Sequence, residues 1–269
     1  MKHNIIAPDI VAEINRRLLE VEKTQNVTVL FACESGSRAW GFASEDSDYD
    51  VRFIYIHPTD WYLSVNLEDK RDVIELPIDD VWDINGWELR KALKLFNKSN
   101  PPLLEWLQSP IIYRENTEIM NQIRELLAVH YSPAACLYHY LSMASKNYRG
   151  YLQGDEVKLK KYFYVLRPIF ACRWIERDLG SVPVEFSKLI ESVDIPSDIE
   201  IIIAELLHAK MQGGELNQGK RIPVLNAFIE SELHRFKLLQ PHWKKQKTDI
   251  NALTLVFQNA LSVARQAIA

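Results

Sequence analysis

Residues 34–54, ESGSRAWGFASEDSDYDVRFI, hold the side chains of this 269-residue chain best suited to group transfer. Gly36-Ser37 is followed by ten residues and then by Asp48-Tyr49-Asp50. Alternate side chains of a strand share a face, so Asp48 and Asp50 are expected to project together, with Tyr49 pointing away. Adjacent carboxylates repel unless a cation stands between them. Hard oxygen ligands of this kind suit Mg²⁺, which takes one or two carboxylates and completes its shell with phosphate oxygens and water. Gly36 permits a tight bend with no side chain in the way of a phosphate. Ser37 adds a hydroxyl and an N–H at an expected helix start, and Arg38 adds a cation for the same phosphates. Arg52 falls on the face of Asp48 and Asp50, where it either restrains the carboxylates or reaches phosphate. A Gly-Ser pair alone is usually a turn, and Asp-x-Asp alone is common in surface loops. Their combination between two apolar segments is the sharper signal, a phosphate cradle facing a metal platform.

The elements that must hold these groups can be read from periodicity. Asp9 to Lys23 places Ile10, Ile14, Leu18 and Val21 on one helical face. Val27 to Cys33 and Tyr49 to His57 read as strands on either side of the motif, and Asp72 to Leu76 and Val81 to Ile84 as two more. Trp87 to Asn97 reads as a helix stopped by Pro101-Pro102. Beyond about residue 115 helices dominate, over residues 117–129, from Ser132-Pro133 onward, and over 156–178, 197–211, 223–239 and 249–268. The expected fold class is α+β. A small mixed sheet with flanking helices spans residues 1–114, and an all-helical domain spans 115–269, with the seam at Pro101 to Pro110.

Composition narrows the function classes. The longest apolar stretches, such as Val27 to Cys33, are far short of the roughly 20 residues a spanning helix needs, and the N-terminus shows no apolar signal core. No membrane partner and a cytoplasmic location are expected. Cys33, Cys136 and Cys172 are widely spaced and read as buried thiols of a reducing compartment. The net charge of −4 is unevenly spread, with 12 Lys/Arg against 19 Asp/Glu in residues 1–110 and 20 against 17 in the remainder. An acidic half that gathers cations and a mildly basic half that meets phosphates would give this split, as would unrelated solvated faces. No Walker-type phosphate loop, HExxH or nucleophile elbow is present.

The order strand, Gly-Ser, ten residues, Asp-x-Asp, strand resembles the signature of the DNA polymerase beta nucleotidyltransferase superfamily. The fuller wording is GSRAWGFASEDSDYDVRFIYIHP with RDVIEL, DINGWELRKALKL, SNPPLLEWLQSP and KKYFYVLRP. It looks like the branch described as an RNA repair pathway polymerase beta family, from about Glu34 to Trp174 and more loosely beyond. That resemblance implies a third carboxylate on a neighbouring strand. Asp83, in Val81-Trp82-Asp83-Ile84, is the choice, with Asp79, Asp80 and Glu75 as competitors and a helix cap as its plainer role. It further implies that Asp48, Asp50 and Asp83 hold two Mg²⁺ (or Mn²⁺) ions. A nucleoside monophosphate would then pass from an NTP to a hydroxyl acceptor with release of pyrophosphate. The acceptor suggested by the branch is an RNA 3′ end; a protein or a small molecule would use the same machinery. Related enzymes offer Lys and Tyr to the triphosphate from a helical domain. The basic-aromatic segment KLKKYFYVLR therefore nominates Lys161, Tyr164 and Arg167, beside the plainer reading of core aromatics and solvated lysines. Tyr138 to Tyr140 and Asn147 to Arg149 could line the same region. His242 to Lys247 is a short basic patch that fits either a nucleic-acid backbone or a solvated loop. The rival readings are a non-catalytic nucleotide-binding module of the same fold and an antitoxin-like nucleotidyltransferase acting on a protein.

Overall fold

In the computed structural model, residues 6–212, 218–240, 242–243 and 248–268 are described, with side chains to 263. The chain enters through α1 (Pro8–Gln25), begun by a proline at its first turn and closed by Asn26 in the left-handed region at φ 50°. Its expected stripe of Ile14, Leu18 and Val21 is buried. Then follow β1 (Thr28–Glu34), the short helix α2 (Gly36–Trp40) and β2 (Tyr49–Ile56). After α3 (Thr59–Tyr62) and a 3₁₀ turn at Leu67–Asp69 come β3 (Val73–Glu75) and β4 (Trp82–Glu88). Next are α4 (Leu89–Phe96), α5 (Pro101–Leu107) and β5 (Ile112–Glu115).

The five strands form one mixed sheet in the order β3-β4-β2-β1-β5. β1 runs antiparallel to both β2 and β5, β3 is antiparallel to β4, and β2 and β4 are parallel. Val51, Phe53 and Tyr55 of β2 pack with Ile14, Leu18 and Val21 of α1 in a core on one sheet face. Asp50, Arg52, Ile54 and Ile56 take the other face, by the two-residue period of a strand.

Three expectations are corrected. β4 runs to Glu88, so the expected helix from Trp87 starts only at Leu89; Trp87 and Glu88 are held in register with Ile54 and Tyr55, and the Glu88 side chain caps α4 by accepting from Lys91 N. The helix before Pro101-Pro102 ends at Phe96, and the pair itself opens a further helix, α5, because Asn100 caps Leu103 N and prolines fit a first turn, where no N–H donor is needed. The expected seam, Pro101 to Pro110, is occupied by α5, and β5 just beyond it completes the sheet edge.

The remaining elements are α6 (Thr117–Glu125), α7 (Leu127–His130), α8 (Pro133–Tyr151), β6 (Glu156–Lys158), α9 (Lys161–Glu176), α10 (Phe186–Ser192), α11 (Ser197–Met211), β7 (Gln218–Lys220), α12 (Pro223–Leu238) and α13 (Ile250–Ile268). This region is helical apart from the ribbon of β6 and β7, so the expected helix from residue 156 begins instead at Lys161. Contacts divide the chain differently from a cut at residue 114. One unit is Met1–Ala39, Asp48–Tyr131 and Gln246–Ala269, and the other is Trp40–Ser47 and Ser132–Lys245. The first thus recruits α6 and α13, whose Asn259 donates to Gln122. In the second, α9 is buried on nearly every side, against α8, α10 and α12. All three cysteines are free and buried. Among the described residues no helix is long and apolar enough to cross a membrane.

Candidate active site

The bend after β1 is built around Gly36. Its φ of +58° is open to glycine, and a Cβ there would lie 1.9 Å from Asp50 Oδ2. The missing side chain therefore makes room for a carboxylate of the protein itself. Ser35 N donates to Asp50 O at 2.8 Å, and Asp50 N donates to Glu34 Oε1 at 2.8 Å, tying bend and strand together. Glu34 is fully buried, and Tyr113 of β5 donates to its other oxygen at 2.5 Å. Burial pushes the Glu34 carboxyl up to about 7, against the bonds from Tyr113 and Asp50 N; the nearby Asp50 charge pushes the same way as burial.

The parallel ladder sets Asp50 opposite Asp83. Arg52 spans the two, with Nη2 3.1 Å from Asp50 Oδ1 and 2.7 Å from Asp83 Oδ2. Its Nη1 donates to the carbonyls of Val51 and Asp83. Asn85 donates to the remaining oxygen of Asp83. Burial raises the Asp50 carboxyl to about 6; Arg52 opposes this, and the charges of Asp83 and Asp48 reinforce it. The competitors for the third position lie elsewhere. Asp79 is exposed and paired with Arg17, Asp80 is exposed in a turn at φ 53°, and Glu75 is exposed and paired with Arg71.

Among the described residues no three acidic, histidine or cysteine side chains form a ready-made metal cage. The donor set nevertheless fits a hard divalent cation. Mg²⁺ needs only one or two protein carboxylates when phosphate and water supply the rest. Asp50 and Asp83 share one guanidinium, and Asp50 is pushed toward protonation by burial and by the charges of Asp83 and the exposed Asp48. Such a group gains from an added cation.

The other expected residues are distributed as follows. Ser37 sits in the first turn of α2. Arg38 is drawn to β2, donating to Asp48 O at 3.1 Å with its guanidinium 3.9 Å from the Tyr49 ring centroid. In the second unit, Lys161 Nζ lies 4.4 Å from the ring centroids of both Tyr151 and Tyr164. Burial, then Lys160 and Lys158, hold its pKa below the usual lysine range. Arg167 does not join this pair. It is 2 % exposed, donates to the carbonyls of Pro183 and Val184, and lies 4.9 Å from the Trp40 ring centroid. Its guanidinium is turned inward because α9 has almost no solvated face. Tyr138 and Asn147 lie on exposed parts of α8, with Asn147 donating to Tyr164 O, while Tyr140 and Tyr148 are buried. Of the basic patch at 242–247, His242 and Trp243 bond Asp178, and Lys244, Lys245 and Lys247 lie outside the described residues.

Sequence reasoning missed Glu34, Tyr113 and Asn85. Glu34 had a signal, a lone acid ending an apolar strand just before the bend. Tyr113 had none, since it reaches the site only through the pairing of β5 with β1.

Residues 10–259 match the RNA repair pathway DNA polymerase beta family. The chain is also 48 % identical over 243 residues to "Uncharacterized protein YcgL" of Bacillus subtilis (strain 168), an alignment covering 90 % of this chain and 91 % of that protein.

Proposed function

The chain belongs to the RNA repair pathway DNA polymerase beta family, and from that premise we propose that it is a metal-dependent nucleotidyltransferase using Asp48, Asp50 and Asp83. The observation that carries this reading is the register of Asp50 with Asp83 beside the Gly36 bend, two acids against one guanidinium. A bound Mg²⁺ or Mn²⁺ would neutralise triphosphate charge and lower the pKa of an acceptor hydroxyl. In the transfer, the hydroxyl oxygen bonds to the α-phosphorus of an NTP, the bond to the β-phosphate breaks, and pyrophosphate leaves. The hydroxyl proton passes to water or to a carboxylate oxygen of the cluster. The protein's share is positioning and charge. Gly36 lets Asp50 approach the bend, Glu34 fixes the Asp50 backbone, and Arg52 with Asn85 orients Asp83. Ser37 and Arg38 are the phosphate contacts of this unit. Lys161 and Tyr164, a cation against a ring, are the nucleotide contacts of the second unit. Arg167 supports Trp40 and is left out of the contact set. The leading acceptor is an RNA 3′ end, on the family's description alone.

The test is incubation with each labelled NTP, Mg²⁺ or Mn²⁺, and RNA, protein or small-molecule acceptors. Pyrophosphate release that vanishes in Asp48→Asn and Asp50→Asn is the expected result, and the labelled product identifies the acceptor. One observation favours a second reading, a non-catalytic nucleotide-binding module: both oxygens of Asp83 are already engaged, by Arg52 and Asn85. NTP binding without turnover on any acceptor would decide for that module.

A further inference from the structure

The ladder that fixes Asp50 opposite Asp83 begins at Tyr49, which pairs with Trp82. Asp48 stands one residue outside it and is exposed. Its placement therefore depends on the chain that leads into it, the ten-residue spacer between Ser37 and Asp48. That spacer is divided from its own ends. Trp40–Ser47 packs with the helical unit, while Ala39 and Asp48 on either side of it belong to the sheet unit.

Two aromatic side chains anchor the spacer. Phe42 is 3 % exposed, with its ring centroid 4.9 Å from that of Phe163 on α9 and 5.5 Å from that of Phe186 on α10. Trp40, half-buried, meets the Tyr164 ring edge-on at 5.4 Å and lies 4.9 Å from the Arg167 guanidinium. Ring–ring and cation–ring contacts have preferred geometries, so they fix the direction of the chain as well as its depth. Gly41, between the two anchors, turns the chain at φ +88°, which glycine adopts without strain. The rest of the spacer folds on itself. Ser44 N donates to Ser47 Oγ at 3.0 Å, and Ser47 N donates to Ser44 O at 3.1 Å. At the base, the bond from Arg38 Nε to Asp48 O joins the two ends.

We propose that Trp40 and Phe42 are positioning residues for Asp48: by seating the spacer on α9 and α10 they set where the chain enters β2, and so where this carboxylate stands beside Asp50. The proposal rests on the nucleotidyltransferase reading for the task of Asp48 as a metal ligand. A connection that only joined α2 to β2 would need no buried ring, since such segments ordinarily run over the surface. Tyr164, a nucleotide contact in that reading, packs on Trp40, so a nucleotide held there bears on the same anchor.

Calorimetric titration of the full chain with Mn²⁺, beside a nonhydrolysable analogue of each NTP, tests it. Trp40→Ala should weaken Mn²⁺ binding by on the order of tenfold, the scale on which residues that orient a metal ligand act. Phe42→Leu should weaken it in the same direction. Trp40→Phe, which keeps a ring against Tyr164 and Arg167, should recover most of the loss. In the Asp48→Asn background Trp40→Ala should cost nothing further, the signature of a residue acting through Asp48. Phe228→Leu, on α12 of the same unit and outside the spacer's ring contacts, should lower the melting temperature and leave the Mn²⁺ affinity unchanged. Equal affinity in Trp40→Ala and the parent, or a tenfold loss that persists in the Asp48→Asn background, overturns the proposal and leaves the transferase reading standing. A loss matched by Phe228→Leu would trace to helical packing in general and overturns it too. A parent that binds no Mn²⁺ with any analogue overturns the transferase reading, and this proposal with it.

Discussion

Two clusters of buried charge in this molecule have opposite stoichiometry. In the first unit two aspartates, Asp50 and Asp83, share one arginine, and Asp50 is driven up to about 6 by burial and by the charges of Asp83 and the exposed Asp48 despite Arg52. In the second unit one carboxylate is shared by two arginines. Glu232, its side chain 6 % exposed, accepts from Arg173 Nε at 2.6 Å and from Arg235 Nε and Nη2 at 3.2 Å. Burial pushes Glu232 up, but the two guanidinia outweigh it and hold the group below the usual carboxylate range. Arg235 also bonds Glu176. The second cluster is complete as it stands, and its work is to join α9 to α12. The first is short of positive charge, as the proposed binding of a divalent cation requires.

The largest expected effect separates the two by activity. Asp50→Asn should lower nucleotidyl transfer by on the order of a thousandfold, in steady-state pyrophosphate release at saturating metal. The same change should leave metal-free thermal stability equal or higher, because it removes one of the repelling charges. A variant that loses stability in proportion to activity would place Asp50 in the scaffold and not in the chemistry.

Next comes Glu232→Gln, which leaves two guanidinia facing a neutral amide and should cost about 3 kcal/mol in urea unfolding at neutral pH. The sign with pH follows from the depressed native pKa. The carboxylate's contribution is present above its unfolded value of 4.5 and is lost as pH falls through the native value, so parent and variant should converge in acid. A gap that widens in acid would contradict the assignment. Gly36→Ala should follow at about 2 kcal/mol, from the positive φ and the collision with Asp50 Oδ2. Transfer should fall with it, since the carboxylate must move for the methyl to fit.

The comparison also marks what the sequence could show. The bend and the face shared by Asp50 and Arg52 were legible because strand period and spacing are local, whereas Asp48 lies exposed just before β2. That Arg52 ties Asp50 to Asp83 depends on the parallel register of β2 with β4, a long-range pairing that no local pattern carries. The Gly36 side was read as space for a phosphate, whereas the nearest atom filling it is Asp50 Oδ2. Arg167 was placed with Tyr164 by helical period, but period identifies a solvated face only where a helix has one, and on α9 that face is confined to a few residues around Lys161 and Tyr164 and at the C-terminal end. Pro101-Pro102 marked the end of the preceding helix, but that the same pair opens α5 went unread, since a proline pair breaks a helix from inside and starts one from outside.

Arg52 offers the finest division between the clusters. If it is a built-in counter-ion for a group awaiting metal, then Arg52→Met should lower the melting temperature in EDTA by only a few degrees, as about 1 kcal/mol does in a chain of this size. Added Mg²⁺ should then raise the variant's melting temperature by more than it raises the parent's, because the metal replaces a charge that the variant lacks and the parent already has. The equivalent change at Arg173, facing Glu232, should give a larger loss that Mg²⁺ does not repair, since a single buried carboxylate that keeps Arg235 has little to offer a hard cation. Equal Mg²⁺ responses in the parent and the Arg52 variant would mean that the guanidinium and the cation do not compete for the same oxygens. Asp50 and Asp83 would then be a structural pair like the one in the helical unit, and the difference in stoichiometry would carry no functional meaning.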